Sequence, residues 1–144
     1  MTNFYYCVLF QTPEYYSKHD LECKNGANYR KVHSVLRDLN FNNKYLLSFH
    51  NRSISEIRDI DYTINEHYNS VYLPFKNKNK LFQLLSKSIR FLSFVKQNNN
   101  SKFLIYNYSF EFLFVAIYLF FKKNKFYFDV EDLPVDRPFI REFI

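Results

Sequence analysis

Lys102–Pro134, KFLIYNYSFEFLFVAIYLFFKKNKFYFDVEDLP, decides how the rest of the chain is read. Phe103–Tyr106 is a short apolar run without alternation, Asn107–Ser109 breaks it, and Phe110–Phe121 is apolar apart from Glu111. The second run is long enough for a helix rather than a strand. Lys122 and Lys123 follow it, where cations suit the negative end of a helix dipole. Lys125–Val130 then reads as a second strand. Two strands joined by a helix within about 30 residues make a βαβ unit, whose strands are parallel. Ligands of such sheets sit beyond the carboxyl ends of the strands. The loops at Asn107–Ser109 and Glu131–Asp136 are therefore placed on the working edge.

Twelve helical residues at 1.5 Å each cover about 18 Å, against a hydrocarbon core of about 30 Å. With Glu111 inside it, Phe110–Phe121 reads as a buried core helix and not as a membrane span. Met1–Tyr6 lacks the basic start of a secretory leader, and none is expected.

Working outward, Phe4–Phe10 (FYYCVLF) is a continuous apolar run of strand length, suited to the centre of a sheet covered on both faces. Gln11–Asn28 reads as a long polar loop containing Pro13 and the single glycine, Gly26. Asn28 is a plausible cap for a helix through Leu39 with Val32, Val35, Leu36 and Leu39 on one face. Lys44–Phe49 is the second strand. Between His50 and Asn69 two readings stand. Ile54, Ile57, Ile60 and Ile64 have roughly helical spacing, while Tyr62–Tyr72 suits a hairpin around Asn65–Tyr68. Ser70–Leu73, stopped by Pro74, is the third main strand. Asn79–Lys96 is an amphipathic helix with Leu81, Leu84, Leu85, Ile89, Leu92 and Val95 as its stripe, and QNNNS turns from it into the opening stretch. The sum is one α/β domain over residues 1–144, a Rossmann-like three-layer sandwich with a mostly parallel sheet.

Composition is consistent with that class. The chain has 144 residues, 47% of them hydrophobic, enough for one core and too many for a disordered chain. Net charge is +6, and Lys76, Lys78, Lys80, Lys87, Arg90 and Lys96 supply all of it from a stretch without acids. Cys7 and Cys23 form no metal or redox spacing and suit a reducing cytoplasm.

The first strand, the loop holding Gly26 and the next helix could receive an anion at the helix N-terminus. One glycine falls short of GxGxxG, however, and no GxxxxGK[ST] is present. Glu131 and Asp132 follow the last strand, where a carboxylate acts as base or sugar-hydroxyl acceptor, or simply as a solvated loop residue. His19, His33, His50 and His67 show neither HxxxH nor HExxH, and neither a metal site nor a cofactor is expected. No GxSxG or Cys-His signature argues for nucleophilic hydrolysis. The basic helix has three readings: a solvated face, a surface for anionic lipid in which Lys80, Lys87 and Arg90 lie beside Phe82, Phe91 and Phe94, or a nucleic-acid surface. The last is not favoured, since no helix-turn-helix, zinc or RNP pattern accompanies the charge.

Three segments together resemble the amino-terminal half of a GT-B glycosyltransferase of the family 4 type common in capsule and lipopolysaccharide synthesis. They are FYYCVLF with its loop, NGANYRKVHSVLRDLNFNNKYLL, and FLIYNYSFEFLFVAIYLFFKKNKFYFDVEDL. The resemblance implies an acceptor-binding domain whose first loop reaches toward the donor diphosphate. Gly26 matches the second glycine of that loop, Asn25 stands where the first would be, and Asp132 matches the acid after the last strand. Glu131 occupies a position where many relatives carry histidine. Asn25, Gly26 and Asn107 are thereby implied as substrate-binding, and Glu131 and Asp132 as catalytic. The family holds its nucleotide sugar on a second domain that carries an E-x7-E segment, and that domain is expected to be absent here. The expected partners are thus a donor-binding half, a glycan or lipid-linked acceptor, and an anionic membrane surface, with the protein cytoplasmic or peripheral on the inner face. A non-catalytic α/β binding module and a basic nucleic-acid-binding protein are the alternatives.

Overall fold

The computed structural model describes residues 2–23, 27–51, 58–76, 79–107, 109–122 and 126–129. Strand β1 is Phe4–Cys7, followed by helices α1 (Pro13–Lys18) and α2 (Ala27–Asp38) and strands β2 (Lys44–Phe49), β3 (Asp61–Ile64) and β4 (Asn69–Leu73). Helix α3 (Lys80–Gln97), strand β5 (Lys102–Tyr106), helix α4 (Phe110–Phe121) and strand β6 (Phe126–Asp129) complete the order. The six strands form one sheet in the order β3-β4-β2-β1-β5-β6. Every neighbouring pair is parallel except β3 with β4. The architecture is α/β with a mostly parallel sheet, consistent with a Rossmann-like fold.

All four residues of β1 are buried, as a central strand of a parallel sheet requires. Alternation along β1 sends its side chains into two separate cores. Tyr5 and Cys7 join Leu47, Phe49, Val71, Phe103 and Ile105 of the other strands with Phe91 and Val95 of α3 and Phe112, Val115 and Leu119 of α4. Phe4, Tyr6 and Val8 join Leu46 and Tyr106 with Val32 and Leu36 of α2. Full burial of side chains of this size is worth about 1.5–3 kcal/mol each. Helix α3 starts at Asn79, whose Oδ1 accepts the Phe82 N–H at 2.8 Å. Ser88, buried in α3, donates to the carbonyls of Leu84 at 2.9 Å and of Phe110 at 3.3 Å, linking α3 to the first turn of α4.

Three expectations are revised by the structure, and one pair of alternatives is decided. The loop expected over Gln11–Asn28 contains α1. Thr12 caps it, its Oγ1 accepting the Tyr15 N–H, and Pro13 follows at the first helical position. Six residues give no room for a periodic signal, so the cap was its only mark. The first strand ends at Cys7, short of Phe10, because the chain turns there to bring Gln11 against β2, with Gln11 Nε2 donating to the Phe49 carbonyl at 2.9 Å. From Asp61 to Tyr72 the chain forms the hairpin, one of the two readings, while Ile54 and Ile57 of the helical one lie outside the described residues. Strand β3 runs antiparallel to β4, pairing Tyr62 with Val71 and Thr63 with Ser70, and the Asn65 N–H bonds the Tyr68 carbonyl at 3.0 Å across the turn. Finally, α4 is not buried all round. Glu111, Phe112, Val115 and Leu119 are covered, whereas Phe110, Leu113, Phe114, Ile117, Phe120 and Phe121 are exposed. No helix is long and apolar enough to cross a membrane among the described residues.

Candidate functional site

Order reverses at β1: β2 and β4 lie on one side of it, β5 and β6 on the other. The carboxyl ends of β1 and β5 therefore flank the crevice where open α/β sheets bind ligands. Asn107 stands at the end of β5 with φ 58°, a left-handed conformation that asparagine adopts more readily than most residues. Its N–H donates to the Asp129 carbonyl at 2.8 Å, closing the ends of β5 and β6 together. The Asp129 carboxylate is held from two sides, by the Lys31 ammonium at 3.0 Å on Oδ1 and by the Tyr6 hydroxyl on Oδ2. Lys31 also lies over the Tyr106 ring, 5.4 Å from its centre. One carboxylate, one ammonium and one phenol thus meet beside the crevice.

The other half of the rim lies over β2 and β4, where α1 packs. Thr12 there meets the Tyr72 hydroxyl, with its Oγ1 at 2.9 Å and its N–H at 3.2 Å. Tyr16 donates its hydroxyl to Gln11 Oε1 at 3.1 Å. Tyr15 points inward and its hydroxyl meets His50 Nδ1 at 2.9 Å, while it accepts the Asn51 N–H at 3.1 Å. His50 Nε2 lies 3.1 Å from the Asp59 carbonyl, an acceptor only. The ring hydrogen therefore sits on Nε2, leaving the Nδ1 lone pair to accept the Tyr15 phenol hydrogen. Desolvation pushes the Tyr15 phenol up to about 12 and pulls the His50 imidazole below its ordinary value, so both are neutral at neutral pH.

Two further ionisable side chains adjoin that pair. Burial opposes ionisation of Asp61, but hydrogen bonds from Lys18, His19 and the Tyr62 N–H outweigh it and hold the carboxyl below its usual range. Its Oδ1 takes the Lys18 ammonium and the Tyr62 N–H, and its Oδ2 lies 2.8 Å from His19 Nε2. The His19 ring packs at a tilt of 50° against Tyr15, 4.5 Å between centres. Donor atoms of His19, His50 and Asp61 all lie within 4.8 Å of one another, a set able to hold a metal ion.

The residues singled out from the sequence fall in different places. Asn107 is on the rim, as expected of the loop after β5. Asn25, Gly26, Glu131 and Asp132 lie outside the described residues. Lys80 and Arg90 are exposed on α3, and Arg90 borders a cleft of about 200 Å³ with Arg58, Asp59, Pro74 and Gln97. Lys87 turns inward instead. Its ammonium is 3.8 Å from Glu111 Oε1 and 4.7 Å from the centre of the Phe75 ring, so it neutralises the buried acid of α4. Sequence reasoning missed Tyr15, His19, His50 and Asp61, because chain reversals between distant elements assemble them and no local spacing carries them. Compared with protein-family models, curated proteins and solved structures, the chain matches none.

Proposed function

We propose that this chain is the acceptor-side half of a GT-B glycosyltransferase of the family 4 type, in the finer sense of a three-layer Rossmann-like sandwich forming half of a two-lobed enzyme. In this reading a second, donor-binding lobe holds the nucleotide sugar, and the sugar passes to a glycan or lipid-linked acceptor of the capsule or lipopolysaccharide kind. The observation that carries the reading is the reversal of strand order at β1, with Asn107 and the Asp129–Lys31 pair beside the resulting crevice. Glu131 and Asp132 come two and three residues after the end of β6, the position from which a base would reach an acceptor hydroxyl. Asn25 and Gly26 belong to the segment between β1 and α2, the family's donor-facing loop.

The test is a pull-down for a donor-domain partner followed by a transfer assay with nucleotide sugars. Transfer by the pair and its loss in Glu131→Ala or Asp132→Ala, with the cooperative melt retained, is the expected outcome. Absence of any transfer with a captured partner would contradict it.

The exposed apolar face of α4 favours a second, non-catalytic reading. Phe110, Phe114, Phe120 and Phe121 of α4 stand in solvent, and Lys80 and Arg90 are exposed on α3, a combination that suits contact with anionic lipid. In this reading the protein is an α/β binding module at the inner membrane face. Sedimentation with anionic vesicles but not neutral ones, lost in Lys80→Glu/Arg90→Glu, supports it; no sedimentation at all excludes it.

A further inference from the structure

We infer that His19, His50 and Asp61 form a binding site for a late first-row divalent metal ion, Zn2+ in the first instance, at the corner of the rim between α1, the end of β2 and the start of β3. Three separate elements deliver these donors to within 4.8 Å of one another. Two imidazoles and one carboxylate suit zinc and its neighbours rather than magnesium or calcium, which prefer oxygen-only sets. Bond lengths of about 2.0–2.2 Å to a tetrahedral ion place its ligands roughly 3.3–3.6 Å apart. The His19–Asp61 pair, now at 2.8 Å, opens slightly to admit the ion, and a separation of 4.8 Å closes by roughly 1.2–1.5 Å, a side-chain adjustment.

The outer partners that orient metal ligands are already in place. The Asp59 carbonyl takes the His50 Nε2 hydrogen, which leaves Nδ1 as the nitrogen with a lone pair, and the Tyr15 hydroxyl that now fills that lone pair yields it to the ion. The Tyr62 N–H and Lys18 occupy Asp61 Oδ1, leaving Oδ2 as the ligand atom. The Lys18 side chain is about half exposed and swings into water without breaking a buried contact. Three protein donors leave a fourth position for water or an anionic ligand arriving at the rim. The site is independent of the transferase proposal.

The chain has four histidines, which makes the test direct. Untagged full-length protein, freed of metal with chelator, is titrated with Zn2+ while the imidazole ring signals are followed by NMR. The expected result is one ion per chain, shifting the rings of His19 and His50 and leaving those of His33 and His67 in place. His19→Gln and Asp61→Asn each weaken binding at least tenfold, while Lys18→Met tightens it severalfold by removing a neighbouring positive charge. Binding that moves His33 and His67 instead, that survives both ligand substitutions, or that fails to appear at 100-fold molar excess of Zn2+ overturns the site. Because the wild-type ring signals decide the matter by themselves, a variant that failed to fold would not leave it open.

Discussion

Around Tyr15, hydroxyls, an imidazole and an amide are shut away from water; along α4, four phenylalanines, a leucine and an isoleucine stand in it. The two regions invert the ordinary partition in opposite senses, and the inversion has different physical consequences. The buried side chains of Thr12, Gln11 and His50 at the Tyr15 corner are each paired: Thr12 with Tyr72, Gln11 with Phe49 and Tyr16, His50 with Tyr15 and Asp59. Removing one partner strands the other, so the fold itself depends on the set. The outer face of α4 makes no such demand on the fold. Its apolar side chains gain little from the native state, and what they contribute must show in association.

The sharpest way to break this contrast is to compare the two sides of α4. Phe112 is buried and packs edge-on against Phe91 with ring centres 5.2 Å apart. Phe112→Ala should lower stability in urea unfolding by about 3–5 kcal/mol. Phe120→Ser on the opposite side should change it by no more than about 0.5 kcal/mol while reducing self-association or vesicle binding. Equal losses would mean that the outer face is covered in the folded protein.

Tyr15→Phe is the next test, since it keeps the ring against Tyr72 and His19 and removes the hydroxyl from His50 Nδ1 and the Asn51 N–H. A loss of about 1–3 kcal/mol is expected. A neutral result would show that water replaces the hydroxyl and that the corner is open.

Acidification should act on the same corner through His50. Its proton affinity is lowered by burial, so below the unfolded value of 6.5 the unfolded chain binds a proton that the native chain refuses. Stability is then complete above about pH 6.5 and falls as pH drops below it, by at most about 1.4 kcal/mol per unit from this group. Asp61, whose carboxyl is held low, adds its own loss only as pH falls below 3.8. His50→Asn should flatten the first slope in thermal melts from pH 7 to 5 and leave the second in place. The smallest effect on stability belongs to Lys80→Glu/Arg90→Glu, expected within about 0.5 kcal/mol because both side chains are exposed. Its readout is vesicle sedimentation.

Strand content and the central place of β1 were readable because a strand buried on both faces must be apolar throughout, and FYYC, KYLLSF and KFLIY are nearly so. The antiparallel β3 was legible only as one of two readings, since Ile60 and Ile64 fit a helical period as well as a hairpin. Lys87 misled for a different reason. Its neighbours in sequence suggest a solvated or lipid-facing cation, and only the approach of α4 reveals Glu111 as its partner. The Tyr15 corner was hidden altogether, because residues 15, 50 and 61 become neighbours through the parallel crossover from β1 to β2 and the return strand β3. Nothing in their local surroundings distinguishes them.

The tautomer of His50 tests the central claim most directly, because it is fixed only if Tyr15, Asp59 and His50 converge as described. Long-range proton–nitrogen correlation of the imidazoles at neutral pH should find His50 neutral with its hydrogen on Nε2. A His50 ring carrying its hydrogen on Nδ1, or protonated on both nitrogens at neutral pH, would contradict the assembly of this rim.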